Sequence, residues 1–221
     1  AVRDDSLIWF LGEQIGRQLK SLGVHINFAP TTDLSTSFNN PELFISAYGE
    51  NKDRVTKKIV TYQAGLRKEG IACIAKHYPD NGIRVEGFSK GTPVLRTNTD
   101  PARLYPLQIM IDNGLAGVVT AYEHEVIFPD KKRRFADRKR ILSDAVPSLY
   151  SGKYLKQQVN LKGLVFSFIP DIQELNKKYN AGDAEVFAYQ AGNDVLLFPE
   201  NINATIRKMR RAVRKNKTLE K

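Results

Sequence analysis

The chain has 221 residues, 42% of them hydrophobic, and its 34 basic residues outnumber its 24 acidic ones, for a formal net charge of +10. This length and apolar content suit one domain with one sizeable core, and the single cysteine excludes an intramolecular disulfide. No apolar run approaches the roughly 20 residues of a membrane-spanning helix, so the sequence predicts no membrane span.

Helical and extended patterns alternate along the chain. Apolar residues at helical spacing predict helices over residues 4–22, 53–68, 100–113, 143–158, a stretch from 170, 183–191 and 202–214. Short apolar runs between them predict strands over residues 24–29, 71–75, 115–121, 163–168 and 194–198. This alternation predicts a parallel sheet covered by helices, and periodicity leaves open whether the sheet is doubly wound or closed into a barrel.

A polar segment follows the strand predicted at 71–75, in which Cys73 is expected to be a buried packing residue. Lys76, His77 and Tyr78 come directly after that apolar run and precede Pro79. In α/β folds ligands bind at the carboxyl ends of the strands. We therefore predict a binding site here, although no Gly-x-Gly-x-x-Gly or Walker-type motif in the sequence indicates a nucleotide.

Two basic clusters, at residues 131–140 and 207–217, carry much of the positive charge. Phe135 is the single aromatic residue in the two clusters, and no recognition-helix or zinc-finger pattern accompanies them. We interpret them as solvated surface rather than as a nucleic-acid site, with contact to an anionic polymer as the alternative. The three histidines and one cysteine are scattered, so no metal or other cofactor is predicted.

Five segments together resemble a known family. Lys76-His77-Tyr78-Pro79 is similar to the Lys-His-Phe-Pro motif of glycoside hydrolase family 3, whose members remove β-linked sugars, including N-acetylglucosamine from cell-wall fragments. Residues 23–33 resemble its Gly-Val-x-x-Asn-Phe-Ala-Pro-Val-x-Asp run, and residues 39–50 resemble its loop ending in Arg-Ser-Phe-Gly. Residues 163–167 and 191–197 resemble its Gly-Leu-Ile-x-Ser/Thr strand and its Ala-Gly-x-Asp run. The resemblance implies an α/β fold of the (β/α)-barrel, TIM-barrel-like type.

The resemblance also implies that the barrel lacks its first strands. The chain begins at a helix that in the family follows the opening strands. We therefore expect residues 1–221 to be a single family 3-like barrel domain and a fragment of a longer chain. The alternative is that a protein partner supplies the missing strands, because an incomplete barrel leaves strand edges unpaired.

The catalytic positions depart from the family pattern. Retaining glycosidases use a carboxylate nucleophile and a separate proton donor. The family nucleophile is the aspartate after the Gly-Leu-Ile-x-Ser/Thr strand, where this chain has Phe168. The family's Asp-x-His acid/base pair corresponds to Gly87 and Ser89, and the nearest acids are Glu86 and Asp171. We therefore predict no catalytic residue in the motif positions.

Three substrate-binding positions are retained. Asp33, Lys76 and His77 match family residues that lie at the sugar, whereas Ser46 and Tyr122 replace a family arginine and histidine. Each retained residue also has a structural interpretation. Asp33 would brace its loop, His77 would be a hydrogen-bonded histidine at a strand end, and Lys76 would neutralise nearby carboxylates.

These residues lead to three functional hypotheses. The favoured one is a catalytically inactive family 3-like protein, a pseudoenzyme that binds a saccharide or peptidoglycan fragment or serves as a structural component. The alternatives are an active β-glycosidase of the β-N-acetylglucosaminidase kind and a basic module that binds an anionic polymer. The bacterial periplasm or cell envelope is favoured over the cytoplasm.

Overall fold

The computed structural model describes residues 4–35, 45–78, 101–121, 152–168, 180–216 and 219. Within these ranges five parallel strands form one sheet, β1 Ile26–Asn27, β2 Ala72–Tyr78, β3 Gly117–Ala121, β4 Leu164–Phe168 and β5 Val195–Leu196. Neighbouring strands follow each other in chain order. A doubly wound sheet reverses its order at a switch point, whereas consecutive neighbours are the order of a barrel wall.

The helices of the described ranges lie between these strands. They are α1 Asp5–Ser21, α2 Lys52–Lys68, α3 Pro101–Asp112, α4 Gly152–Gln157, α5 Asp183–Gln190 and α6 Ile202–Lys215. Asp4 and Asn51 cap α1 and α2 by accepting hydrogen bonds from the backbone amides of Ser6 and Arg54. The bounds of α1, α2, α3, α5 and α6 all agree with the predicted helices within one residue at each end. None of these helices combines the length and the apolar composition that crossing a bilayer requires.

Some predictions fall outside the described ranges. These are the helical stretch from 170, the first part of the helix predicted at 143–158, and the basic cluster at 131–140. The members of the second basic cluster from 207 to 215 lie on α6, and Lys217 falls outside the described residues.

The prediction that β2 ends at residue 75 is wrong, because the strand continues to Tyr78. The segment after β1 accounts for the extension. Lys76 donates its backbone N–H to the Pro30 carbonyl at 3.2 Å, and Thr32 donates its own to the Lys76 carbonyl at 2.6 Å. Lys76 and His77 therefore belong to the strand end rather than to a loop.

Apolar side chains alternate between the two faces of the sheet, as the period of two requires. Cys73, Val118 and Val165 join the larger core, together with helix residues that include Ile59, Leu66, Met110 and Leu155. Ile74, Val119 and Phe166 form a second cluster on the other face, against Phe28 and Val195. A sheet that is apolar on both faces is buried on both faces. With the consecutive strand order, this makes the described sheet part of a (β/α) barrel.

Within the described ranges the barrel is incomplete. β1 pairs with β2 alone and β5 pairs with β4 alone. This agrees with the prediction of a TIM-barrel-like fold without all its strands.

Two glycines allow α1 to lie directly against α2. A Cβ atom at Gly12 would lie 2.5 Å from the Tyr62 carbonyl oxygen, and one at Gly65 would lie 2.7 Å from the Glu13 amide nitrogen. The Glu13 side chain is buried at this crossing and accepts from Lys68 at 2.6 Å and from Arg17 at 2.9 Å. The hydrogen bond from Lys68 lowers the pKa of Glu13 below its ordinary value, although burial opposes that shift.

Candidate functional site

The predicted site residues lie at the carboxyl ends of neighbouring strands. Thr31, two residues before Asp33, bridges to Lys76 at the end of β2. Tyr78 of β2 is in register with Thr120 of β3. Because all strands run parallel, these ends meet at the edge of the sheet where barrel enzymes hold their ligands.

Asp33 and His77 form a hydrogen-bonded pair. Asp33 is fully buried, and its Oδ2 lies 2.9 Å from His77 Nδ1 and accepts from Thr31 Oγ1 at 2.9 Å. The His77 backbone N–H donates to Asp33 Oδ1 at 3.4 Å. A carboxylate can only accept, so the proton of a neutral His77 ring resides on Nδ1. The ring's Nε2 is then an acceptor that a ligand hydroxyl can use, on a side chain that is 24% exposed.

Thr31 belongs to this site but is not among the residues predicted from the sequence. Its hydroxyl donates to Oδ2 of the Asp33 carboxylate, the same oxygen that contacts the His77 ring. The Thr-x-Asp spacing just after Pro30 is the only hint in the sequence, because short hydroxyl side chains commonly bond to polar groups two residues away in turns.

Lys76 is half-buried beside this pair. Its carbonyl accepts from the backbone N–H of Thr32, and its own N–H donates to Pro30, so the backbone of Lys76 is held from both directions. The Ala29–Pro30 and Lys76–His77 peptide bonds are cis. The structure thus brings all three predicted substrate-binding residues, Asp33, Lys76 and His77, to one end of the sheet.

Cys73, Tyr48 and Tyr62 belong to or pack against the larger core. Cys73 is buried as expected, and its Sγ–H donates to the Ala29 carbonyl at 2.8 Å. Burial raises the pKa of the Cys73 thiol to about 12 and that of the Tyr48 hydroxyl to about 12, and it also raises the pKa of Tyr62. A thiol with so high a pKa is not a nucleophile near neutral pH.

Asp194, in the Ala-Gly-x-Asp segment, has a structural role. Its Oδ2 accepts from the backbone N–H of Val165 at 2.8 Å, and its Oδ1 pairs with Lys156. Asn193 beside it accepts from Thr120 Oγ1 at 2.7 Å and donates to the Ala188 carbonyl at 2.8 Å. These bonds join β3, β4 and α5 and place Asp194 at the start of β4, away from the carboxyl end of that strand.

Phe168 is the last residue of β4, and its backbone is in register with Ala121 of β3. Ser46 is exposed. The other positions considered for catalysis or sugar contact, Glu86, Gly87, Ser89, Tyr122 and Asp171, lie outside the described residues. Within the described ranges no group of three His, Cys, Asp or Glu side chains could hold a metal ion.

Comparison with known proteins gives concordant matches. Residues 1–221 match the family described as the glycosyl hydrolase family 3 N terminal domain. The chain is 25% identical over 190 residues to beta-hexosaminidase A of Pseudoalteromonas piscicida, a match covering 84% of this chain and 32% of that protein. It is 27% identical over 200 residues to the beta-hexosaminidase of Neisseria meningitidis serogroup C, covering 85% of this chain and 49% of that protein.

The fold is also that of a solved relative. A glycoside hydrolase family 3 beta-N-acetylglucosaminidase from Paenibacillus sp. superposes with a TM-score of 0.78 at 23% identity, over 98% of this chain and 41% of that one. The chain thus spans between 32% and 49% of the length of these three relatives.

Proposed function

Because the chain belongs to glycosyl hydrolase family 3, we propose that it is a non-catalytic member that binds a saccharide at the carboxyl end of its sheet. Phe168 is the observation that carries this proposal. It ends β4 where the family pattern has its nucleophilic aspartate, and a benzyl ring has no lone pair with which to attack an anomeric carbon. We further propose that residues 1–221 form one barrel domain of a longer chain.

Asp33 does not supply the missing nucleophile. Its carboxylate is fully buried and accepts hydrogen bonds from His77 and Thr31. Both bonds engage Oδ2, and the full burial of the side chain keeps the carboxylate from contacting a sugar ring. A retaining mechanism also requires a second carboxyl about 5 to 5.5 Å from the nucleophile, with the sugar between them. Asp33 therefore acts by positioning His77 rather than by attack.

The retained residues suit binding instead. The Nε2 atom of His77 accepts a hydrogen bond, and the Lys76 ammonium donates up to three. Sugar hydroxyls both donate and accept, so one sugar ring can engage both side chains. Since the relatives include beta-hexosaminidases and a beta-N-acetylglucosaminidase, we propose an N-acetylhexosamine or a peptidoglycan fragment that contains one as the ligand class.

Two measurements test this function. Incubation with chromogenic β-N-acetylglucosaminide and β-glucoside should release no more dye than a heat-inactivated sample. Titration calorimetry with N-acetylglucosamine oligomers should show binding that Lys76→Met and His77→Gln each weaken, whereas Lys20→Met, on the exposed surface of α1, leaves it unchanged. Dye release by the wild-type chain would refute the non-catalytic assignment, and absence of binding would refute the saccharide role.

An active β-glycosidase is the second candidate, and the names of the relatives favour it. Its carboxylates would be Glu86 and Asp171 or would come from further segments. If dye is released, Glu86→Gln and Asp171→Asn separate these sources, because loss of turnover in either variant identifies the acid in use. If no dye is released, Phe168→Asp tests whether the β4 position alone limits catalysis.

A further inference from the structure

An apolar row is exposed at the end of the sheet away from β1. Phe198, Ile202 and Ile206 are 80%, 61% and 45% exposed. The two isoleucines are four residues apart on α6, so they lie on one face of that helix. The two isoleucines thus form an exposed apolar row on α6, and Phe198 is a further exposed apolar side chain in the segment just before that helix. Exposed apolar patches of this kind mark interaction surfaces.

The same row continues into positive charge. Arg210 and Arg214 follow Ile206 at successive steps of four, so Ile202, Ile206, Arg210 and Arg214 form a single ridge along α6. Both arginines are exposed, as are Arg207, Arg211 and Lys215 beside them. The α6 ridge thus has an apolar half, Ile202 and Ile206, and a cationic half, Arg210 and Arg214.

The other side of α6 is anchored. Ala204 and Thr205 are buried. Lys208 Nζ lies 2.8 Å from Asp183 Oδ1 of α5 and donates to the Asn180 carbonyl at 3.3 Å. The helix cannot rotate to cover its apolar row without breaking these contacts, so that row stays turned away from α5.

We propose that the α6 ridge docks on an anionic phospholipid surface. Apolar side chains enter the boundary between headgroups and acyl chains, while neighbouring guanidinium groups bind lipid phosphates. A nucleic acid would satisfy the arginines and leave the phenylalanine and isoleucines in water. An apolar groove on a protein would cover the apolar side chains and leave the arginines without anionic partners. An anionic lipid surface offers acyl chains to the apolar side chains and phosphates to the arginines. The net charge of +10 adds a long-range attraction to such a surface.

This inference does not depend on the saccharide proposal. It concerns a surface on α6, whereas Asp33, Lys76 and His77 follow β1 and end β2. Docking through α6 would bring the barrel, and with it the proposed saccharide site, to a membrane surface.

Vesicle sedimentation of the 221-residue chain tests the proposal. The chain should pellet with phosphatidylcholine vesicles that contain phosphatidylglycerol, and not with phosphatidylcholine alone. The double variants Arg210→Glu/Arg214→Glu and Ile202→Ser/Ile206→Ser should each lower the partition coefficient about tenfold or more. Lys20→Glu/Arg54→Glu, which makes the same charge change at exposed positions of α1 and α2, should lower it much less.

Three outcomes would overturn the proposal. One is no pelleting with anionic vesicles, and another is an equal loss in the Lys20/Arg54 control. The third is wild-type binding by the isoleucine double variant, because it would assign α6 to a soluble polyanion held by charge alone. Far-UV circular dichroism identifies any variant that has failed to fold, and single substitutions at Ile206 and Arg210 then replace the double variants.

Discussion

The buried carboxylate of Asp33 holds the His77 ring through Nδ1, at a distance of 2.9 Å. This bond joins the segment after β1 to the end of β2. It decides which ring nitrogen carries the proton of a neutral imidazole, because a carboxylate accepts only from a protonated Nδ1. The pair therefore links the stability of the strand ends to the hydrogen-bonding character of the proposed saccharide site.

Replacing Asp33 by Asn should lower the stability of the fold and weaken saccharide binding at His77. The amide can donate to Nδ1, which would move the ring proton to Nε2 and remove the acceptor offered to a sugar. We expect the free energy of unfolding to fall by about 1–3 kcal/mol, the cost of disturbing a buried charge-assisted bond. Urea unfolding measures that loss, and nitrogen-15 NMR of the imidazole reports the tautomer.

A control variant and a double-mutant cycle test this prediction further. Asp53→Asn changes an exposed acid in the first turn of α2 and should leave the His77 tautomer unchanged. The double variant Asp33→Asn/His77→Gln should lose less unfolding free energy than the sum of the losses in the two single variants, because each substitution removes the same bond. Full additivity would show that the pair carries no coupling.

Replacing Gly65 by Ala should destabilise the fold through the contact between α1 and α2. The new methyl group would collide with the Trp9 carbonyl oxygen and lie 2.7 Å from the Glu13 amide nitrogen. Backbone atoms cannot move aside as a side chain can, so overpacking should cost about 1–3 kcal/mol even though alanine favours the helix. Thermal or urea unfolding measures this cost.

Gly16→Ala is the matched control in the facing helix. Its methyl group would lie 3.0 Å from the Glu69 Cβ atom and 3.3 Å from its Cγ atom, which is a tight contact but a looser one than the backbone collisions at Gly65. We therefore expect a clearly smaller loss than at Gly65, partly offset by the higher helix propensity of alanine. Equal losses at Gly16 and Gly65 would contradict the assignment of Gly65 to a backbone contact.

Glu13→Gln should remove a contribution to the free energy of unfolding that the wild-type chain has at neutral pH and loses in acid. The hydrogen bond from Lys68 lowers the pKa of Glu13 from its ordinary value of 4.5. A group whose pKa is lower in the folded state stabilises fully above its unfolded pKa, and that stability is lost as pH falls through the folded value. The wild-type chain should therefore be more stable than the variant above pH 4.5, and the difference should shrink below it.

Melting temperatures of both chains across the acid range measure this difference. Glu50→Gln, at an exposed position before α2, is the control and should follow the wild-type profile. A difference between wild type and Glu13→Gln that stays constant down to strongly acidic pH would mean that the side chain contributes by packing alone.

The bounds of the helices agree with the sequence prediction because local signals mark them. Asp4 and Asn51 cap α1 and α2 with their own side chains, and Gly23 and Gly70 follow the two helices with φ of +73° and +79°. Each of these signals is encoded within a few neighbouring residues, so a single sequence suffices to find it. The end of β2 differs from the prediction because the backbone of Lys76 bonds to Pro30 and Thr32, more than forty residues earlier.

The sequence alone determines the alternation of helices and strands, the resemblance to family 3, and the presence of Phe168 after Ser167, since these are properties of residue type and spacing. The tertiary structure decides the consecutive strand order and the burial of Asp33 against His77, which are separated by 44 residues. It also decides which face of α6 is exposed. The physical reason is that such contacts depend on how distant segments pack, and residue spacing within one segment carries no record of that packing.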